Sequence, residues 1–287
     1  MALITTPHDI NRGTQGLQLP PDVSAEIFAG VQHESAVMRL ARQISVPGRG
    51  LSIPVVTGDP IAARVAESAE KPVSNSTFQT KIMTPQKFAV IELFSNEFRR
   101  DFAALYDGLV ERLPGAIAKA FDNQVFNVAA ISGFDSLSAV QSVTRAASDK
   151  IEDVVTSGMT LVAADGYRVN GFAVSPAYET ELVIATDGIN RPLFVQDIRE
   201  DGFVGRVYGA DVAETSALTT MVGGDWDKAV YGIVDGINVA ISDQATVNDG
   251  ANQVNLWQRN MFAVRVEAEI GFVVADADAF FRVTTSA

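Results

Sequence analysis

The sequence predicts an α+β fold with one long element standing off the body. Three observations carry that expectation. Residues 51–93 read as a single two-stranded ribbon with a polar, turn-rich middle. Ser95 to Ile131 carries the longest helical periodicity in the chain. From Ser148 onward short apolar strands alternate with helices, and the chain ends on strand-like segments.

The elements follow in order. Residues 1–22 form an N-terminal arm, punctuated by Pro7, Asn11, Gly13, Gly16, Pro20 and Pro21. Asp22 or Ser24 can cap a first helix, Val23 to Arg42, whose apolar positions Ile27, Val31, Val37, Leu40 and Ile44 recur at near-helical spacing. The turn "VPGRG" closes this segment at residue 50. In the ribbon, "LSIPVVTG" and "AARVAESA" run outward, "EKPVSNS" supplies turn chemistry at the tip, and "TFQTKIMTPQKFAVIELF" returns. Phe78, Thr80, Ile82 and Thr84 fall on one face, and Gln79, Lys81 and Met83 on the other. Pro54, Pro72 and Pro85 cannot donate to a ladder, so the ribbon has an open, edge-like character. An arm of about 15 residues reaches roughly 50 Å, more than the radius of a compact domain of this size.

The long helix carries Phe98, Phe102, Leu105, Leu109, Leu113, Ile117, Ala120, Phe121 and Val125 on one stripe, with Pro114-Gly115 expected to kink or break it. Beyond it lie a helix at 150–164, a buried strand "GFAVSP", a helix "PAYETELVIA", and strands in "GFVGRVYGADVAE", "KAVYGIVDGINVAIS" and "NLWQRNMFAVRVEAEIGFVVAD". The last of these, with "AFFRVTT", suggests one antiparallel sheet closing the chain.

The chain has 287 residues and is 47% hydrophobic and 20% charged, a globular composition. No apolar run approaches the roughly 18 residues of a membrane span, and the N-terminus lacks the basic-then-apolar order of a signal peptide. Cysteine is absent, which excludes disulfides and thiolate chemistry and fits assembly in a reducing cytoplasm. The net charge of −13 is uneven: residues 1–150 hold 14 Lys/Arg against 15 Asp/Glu, and residues 151–287 hold 8 against 20. The second half should repel nucleic acid rather than grip it.

A search for chemistry returns little. There is no nucleophile elbow, phosphate loop or dinucleotide fingerprint. His8 and His33 are the only histidines. The pairs Asp225/Asp227 and Asp276/Asp278 read as polar turns, Glu267/Glu269 as the solvated face of a strand, and Trp226 and Trp257 as packing anchors. Arg99 and Arg100 read as ion-pair partners of Glu97 or Asp101, or of a neighbouring subunit. No cofactor or metal is expected.

The stretches "AESAEKPVSNSTF" and "KFAVIELFSNEFRRD" resemble the extended loop and the start of the spine helix in tailed-bacteriophage major capsid proteins of the Hong Kong 97-type fold. "FAVSP" with "DGINRPLF" resembles the apical domain of that family, "VGGDWDKAVYGIVDGINVAISD" its glycine-aspartate turn and following strands, and "NMFAVRVEAEIGFVVADADAFFRVT" its closing strands. The resemblance covers residues 20–285 and rests on shared order rather than on one specific motif. It implies an arm (1–22), a first helix and turn (23–50), an extended loop (51–93), a peripheral domain with spine helix (94–147), an α/β apical domain (148–240) and return strands of the peripheral domain (241–287). It further implies self-assembly into pentamers and hexamers of an icosahedral shell in the host bacterial cytoplasm. The shell would enclose double-stranded DNA without sequence-specific binding or a membrane. A portal and a separate scaffolding protein or protease are the partners it implies. Inter-subunit contacts are then expected at Arg64, Glu67, Glu70, Lys71, Phe78, Lys81, Arg99 and Arg100.

Some members of the family join subunits by an isopeptide bond, and carry-over places Lys71, Asn260 and Glu267 at the lysine, asparagine and base positions. Docking that excludes water would lower the lysine pKa and let Glu267 take its proton. Lys71 as a solvated tip residue or ordinary ion-pair partner is the alternative. Three other functions stay open at this point: an encapsulin-like compartment shell, an acidic carbohydrate-active hydrolase using paired carboxylates, and a monomeric binding module.

Overall fold

The computed structural model describes residues 30–32, 34–58, 60–65, 70–71, 73–95, 102–186, 191–196, 203–234, 236–249 and 252–285. The expected N-terminal arm, and with it Glu67, Glu97, Arg99, Arg100 and Asp101, lie outside the described residues.

The alternation in "MFAVRVEAEIGFVV" makes β15 (Met261–Val274) the axis of a five-stranded sheet. Phe262, Val264, Val266, Ala268, Ile270, Phe272 and Val274 face inward and are buried. Arg265, Glu267 and Glu269 face out. One edge of β15 pairs with β4 (Gln86–Ser95), from Met261↔Ser95 to Ile270↔Gln86. Its other edge is shared end to end by β11 (Ala229–Ile233) and β12 (Asn238–Ser242). β1 (Arg42–Ser45) runs parallel to β11. The inner face packs on the long helix Phe102–Asn127, whose Ile117, Phe121 and Val125 recur every four residues. Phe121 meets Phe88 edge-on at 5.7 Å and Phe272 at 6.4 Å.

The second sheet has seven strands, β5 (Gln141–Arg145), β6 (Gly171–Val174), β7 (Phe194–Gln196), β8 (Phe203–Val207), β9 (Ala210–Glu214), β10 (Met221–Gly224) and β16 (Phe280–Thr285). Their spatial order is β5-β16-β10-β6-β9-β8-β7. The helices Ile151–Ala164 and Pro176–Ile184 share a hydrophobic core with this sheet. Gly158 lets the first of them approach, since a Cβ there would overlap the Phe281 ring. The Tyr208-Gly209 turn between β8 and β9 has φ of 51° and 84°, the two-residue hairpin geometry. A separate hairpin of β13 (Thr246–Asp249) and β14 (Asn252–Asn255) packs Val247 and Val254 with Leu93 and Ala263 of the first sheet.

Four expectations about the elements change. Helix does not run through to Arg42: the described helix is Ala36–Leu40, and Arg42–Ser45 is a strand. Ser35 is taken out of helical use by accepting from Met38 N at 3.2 Å and donating to Asp122 at 2.6 Å. The described long helix, Phe102–Asn127, passes unbroken through Pro114-Gly115. One lost backbone bond is outweighed by the packing of the following turns, Ile117 to Phe126. The return half of the ribbon is two strands, not one. β3 (Thr77–Met83) stays with β2 (Leu51–Gly58), whereas β4, after Pro85, buries Phe88, Val90 and Phe94 against the main core. Finally, β15 and β16 do not share a sheet. Asp276 accepts from Asp278 N at 3.1 Å and caps a short turn, and β16 then inserts between β5 and β10.

The Asp225 turn is as expected: its carboxylate accepts from Asp227 N at 3.2 Å ahead of β11. Trp226 is buried, donating from Nε1 to the Gly171 carbonyl at 3.0 Å and packing edge-on to Phe280 at 5.4 Å. Trp257 departs from expectation and is 71% exposed. Its neighbour Leu256 takes the inward position.

Candidate inter-subunit surface

The ribbon begins where Gly50, at φ +88°, turns the chain beside Met83, and a Cβ there would come within 2.6 Å of the Met83 carbonyl oxygen. β2 and β3 then pair antiparallel from Leu51↔Met83 to Val56↔Phe78, with a register shift before Gly58↔Thr77. Residues on its inward face meet the body. Leu51, Ile53 and Met83 pack with Val46, Val230 and Val273. Met83 is fully buried in a hole made by two glycines: Gly232 and Gly271 are paired directly across β11 and β15, and a Cβ on either would strike the Met83 side chain. Met83→Ala empties that hole and is expected to cost about 2–4 kcal/mol, read as a lower unfolding midpoint of the unassembled subunit. An unchanged midpoint contradicts this anchoring.

Lys81 shares that inward face. Its Nζ donates to the Val274 carbonyl at 2.6 Å and to Asp135 Oδ2 at 3.1 Å, and the same carboxylate oxygen accepts from Val274 N at 3.0 Å. The sequence reading put Lys81 among inter-subunit contacts, but the structure ties it within its own subunit. Strand alternation signals the difference, because Lys81 lies on the same face as Met83.

On the opposite face the described side chains of β3 are exposed. Phe78 is 69% and Ile82 is 61% exposed, and further out Ile61 and Val73 are 79% and 91% exposed. Arg64, Glu70 and Lys71 are exposed beside them. A two-stranded ribbon has no core of its own, and none of the described residues covers these apolar side chains. Of the expected contact residues, Arg64, Glu70, Lys71 and Phe78 stand on this free part. Ile61, Val73 and Ile82 belong to the surface as well; they were missed because an isolated apolar residue among polar ones reads as unremarkable.

The three isopeptide positions are not gathered in one subunit. Asn260 sits at φ +54° in the turn before β15, and Glu267 lies seven residues on, roughly 20 Å along an extended strand. Glu267 is already engaged by Arg265 at 3.3 Å and Lys87 at 3.8 Å.

A buried cluster that the sequence does not reveal joins the helix Ala36–Leu40, the long helix and the residue after β9. Asp122, on the long helix, is fully buried. It accepts from Ser35 Oγ at 2.6 Å, Thr215 Oγ1 at 2.8 Å, Ala36 N at 3.0 Å and Val37 N at 3.4 Å. Arg39 nearby donates to the Glu214 carbonyl at 2.6 Å and the Ser35 carbonyl at 3.3 Å. Burial pushes the Asp122 carboxyl above the usual range, and the four donors pull it back in part.

Comparison with known proteins places this geometry. The sequence model of the phage capsid family matches residues 15–285. The probable major capsid protein gp17 of Mycobacterium phage L5 is 32% identical over 294 residues, covering 93% of this chain and 89% of the relative. Its counterpart from Mycobacterium phage D29 is 30% identical over 289 residues, with the same coverage of 93% and 89%. A solved structure from Mycobacterium phage Ogopogo superposes with a TM-score of 0.70 at 18% identity, covering 88% of this chain and 92% of that one.

Proposed function

The chain belongs to the phage capsid family and serves as a major capsid protein of a tailed phage, and from that premise we propose that it closes an icosahedral shell by laying its ribbon on a neighbouring subunit. The observation that carries this reading is the exposure of four large apolar side chains, Ile61, Val73, Phe78 and Ile82, on an element with no core of its own. Each subunit donates a ribbon and receives one, a heterologous contact that closes first into pentamers and hexamers and then into the shell. The long helix serves as the spine, and the seven-stranded sheet forms the apical contacts around each ring. The interior holds double-stranded DNA without reading it, in keeping with the acidic second half. Assembly takes place in the host cytoplasm with a portal and a separate scaffolding protein or protease.

Electron microscopy of the expressed protein tests this directly: closed shells are expected, and persistent monomers would contradict it. Nucleic acid rather than a protein cargo inside virus-derived particles separates a capsid from a host-encoded compartment.

The joint is non-covalent in this proposal. What supports this is that Glu267, the expected base, already has two cationic partners within its own subunit. Denaturing electrophoresis of mature particles is expected to give one band near 30.6 kDa. A ladder of multiples would instead establish cross-linking, with Lys71→Arg as its control.

A further inference from the structure

We propose that the ribbon is a two-part lever, with a base whose direction is preset by the Lys81–Asp135 latch and an outer part that takes its final form on the neighbour. The inference rests on the docking reading above and adds where the ribbon is stiff and where it yields.

The base is tied at Leu51, Ile53, Lys81 and Met83. Met83 fills the Gly232/Gly271 hole, Leu51 and Ile53 pack beside it, and Thr84 N donates to the Gly133 carbonyl at 2.6 Å. Lys81 bonds both Asp135 and Val274, two points on different elements of the body. Asp135 is itself fixed, since its N–H donates to the Phe272 carbonyl at 3.0 Å. The latch therefore sets the tilt of β3 against the end of β15. Beyond Val56 the ladder slips register before Gly58, and none of the described residues 60–65 and 73–76 is in a strand. A bond from Ile61 N to Ser74 Oγ at 2.7 Å spans that part, but it is exposed to water. Phe78 and Ile82 ride on the stiff part, and Ile61 and Val73 on the outer part.

Leverage makes the base angle matter. The about 11 residues from Lys81 to the tip can span at most roughly 35 Å when fully extended. A change of about ten degrees at the base would then move the tip by up to roughly 6 Å, twice a hydrogen-bond length. A latch formed before assembly thus fixes where the next subunit is met, and the outer part absorbs the remaining mismatch.

Hydrogen exchange on unassembled subunits and on closed shells tests this. Amides of 80–84 are expected to be protected in both states, whereas those of 60–65 and 73–76 exchange freely in the subunit and become protected in the shell. K81M is expected to speed exchange at 80–84 about ten-fold in the subunit, the scale of a lost charge-assisted bond. K81R, which keeps charge and donors, should retain most of the protection. Uniformly fast exchange of 80–84 in the wild-type subunit would overturn the lever, even if the tip gained protection in shells. A protected base with no gain at the tip on assembly would instead overturn the docking reading. Equal exchange of K81M and wild type at 80–84 would remove Lys81 from the role.

Discussion

A subunit in which residues 59–76 are replaced by a two-residue turn joining Gly58 to Thr77 is expected to fold, stay soluble and form no closed shells. The body should be indifferent to the loss. All described side chains from Pro60 to Ser76 are exposed except Val65, which is half-buried, and the anchors Met83 and Lys81 are retained. The joint should not be indifferent. Burying Ile61 and Val73 on a neighbour is worth roughly 3–6 kcal/mol per contact, or about a hundred- to ten-thousand-fold in association, and every subunit of a shell makes that contact. Sedimentation and electron microscopy read the result. Shells of normal yield and shape from this variant would remove the ribbon from assembly. The double substitution Phe78→Ser and Ile82→Ser, which leaves the length unchanged, should reduce shell yield by the same physics. It separates apolar burial from mere reach.

The second large effect is expected inside the subunit. Asp122→Ala should destabilise it by about 4 kcal/mol, a large part of the usual stability of a domain. The carboxylate is the shared acceptor for two hydroxyls and two backbone N–H groups, and alanine leaves all four without it in a site closed to water. Loss of soluble subunit, or an unfolding midpoint shifted well beyond that of surface variants, would be the readout. A midpoint like wild type contradicts the account. Asp122→Asn keeps one acceptor oxygen and should cost less. The pH dependence has a definite sign. Burial raises the folded-state pKa of Asp122 above its unfolded value. Its contribution is therefore complete below the unfolded pKa and is lost as pH rises through the folded one. Wild type should lose stability relative to Asp122→Asn over that rise, and a gain over the same window would contradict the direction.

Much of this protein is legible in its sequence, and the reason differs from element to element. The alternation in "MFAVRVEAEIGFVV" fixes a strand with one buried face, because side chains repeat every two residues whatever lies alongside. The four-residue spacing of Ile117, Phe121 and Val125 fixes a helix with one buried stripe for the same local reason. The Asp225 turn, the Ser175 cap, which accepts from Tyr178 N at 3.3 Å, and the exposed ribbon with its turn residues are local chemistry too. Such features are determined within a few residues of chain, so the sequence contains them.

The remainder depends on partners distant in sequence. Whether "AFFRVTT" lies beside β15 or leaves for the other sheet is decided by which open edge accepts it, and β5 and β10 supply that edge. Pro114 is tolerated because a core assembled from other segments holds the helix around it. Asp122 looks like a surface carboxylate until Ser35 and Thr215 arrive from 87 residues before it and 93 after it. Lys81 and Phe78 are both ribbon residues, yet one is latched to the body and the other is left bare. Periodicity separates their faces, but only the position of Asp135 and Val274 says which face is inward. Local geometry is written in neighbouring residues. The choice of partner is a competition among distant surfaces for the same apolar area and the same hydrogen bonds, and that competition is settled only in the folded molecule.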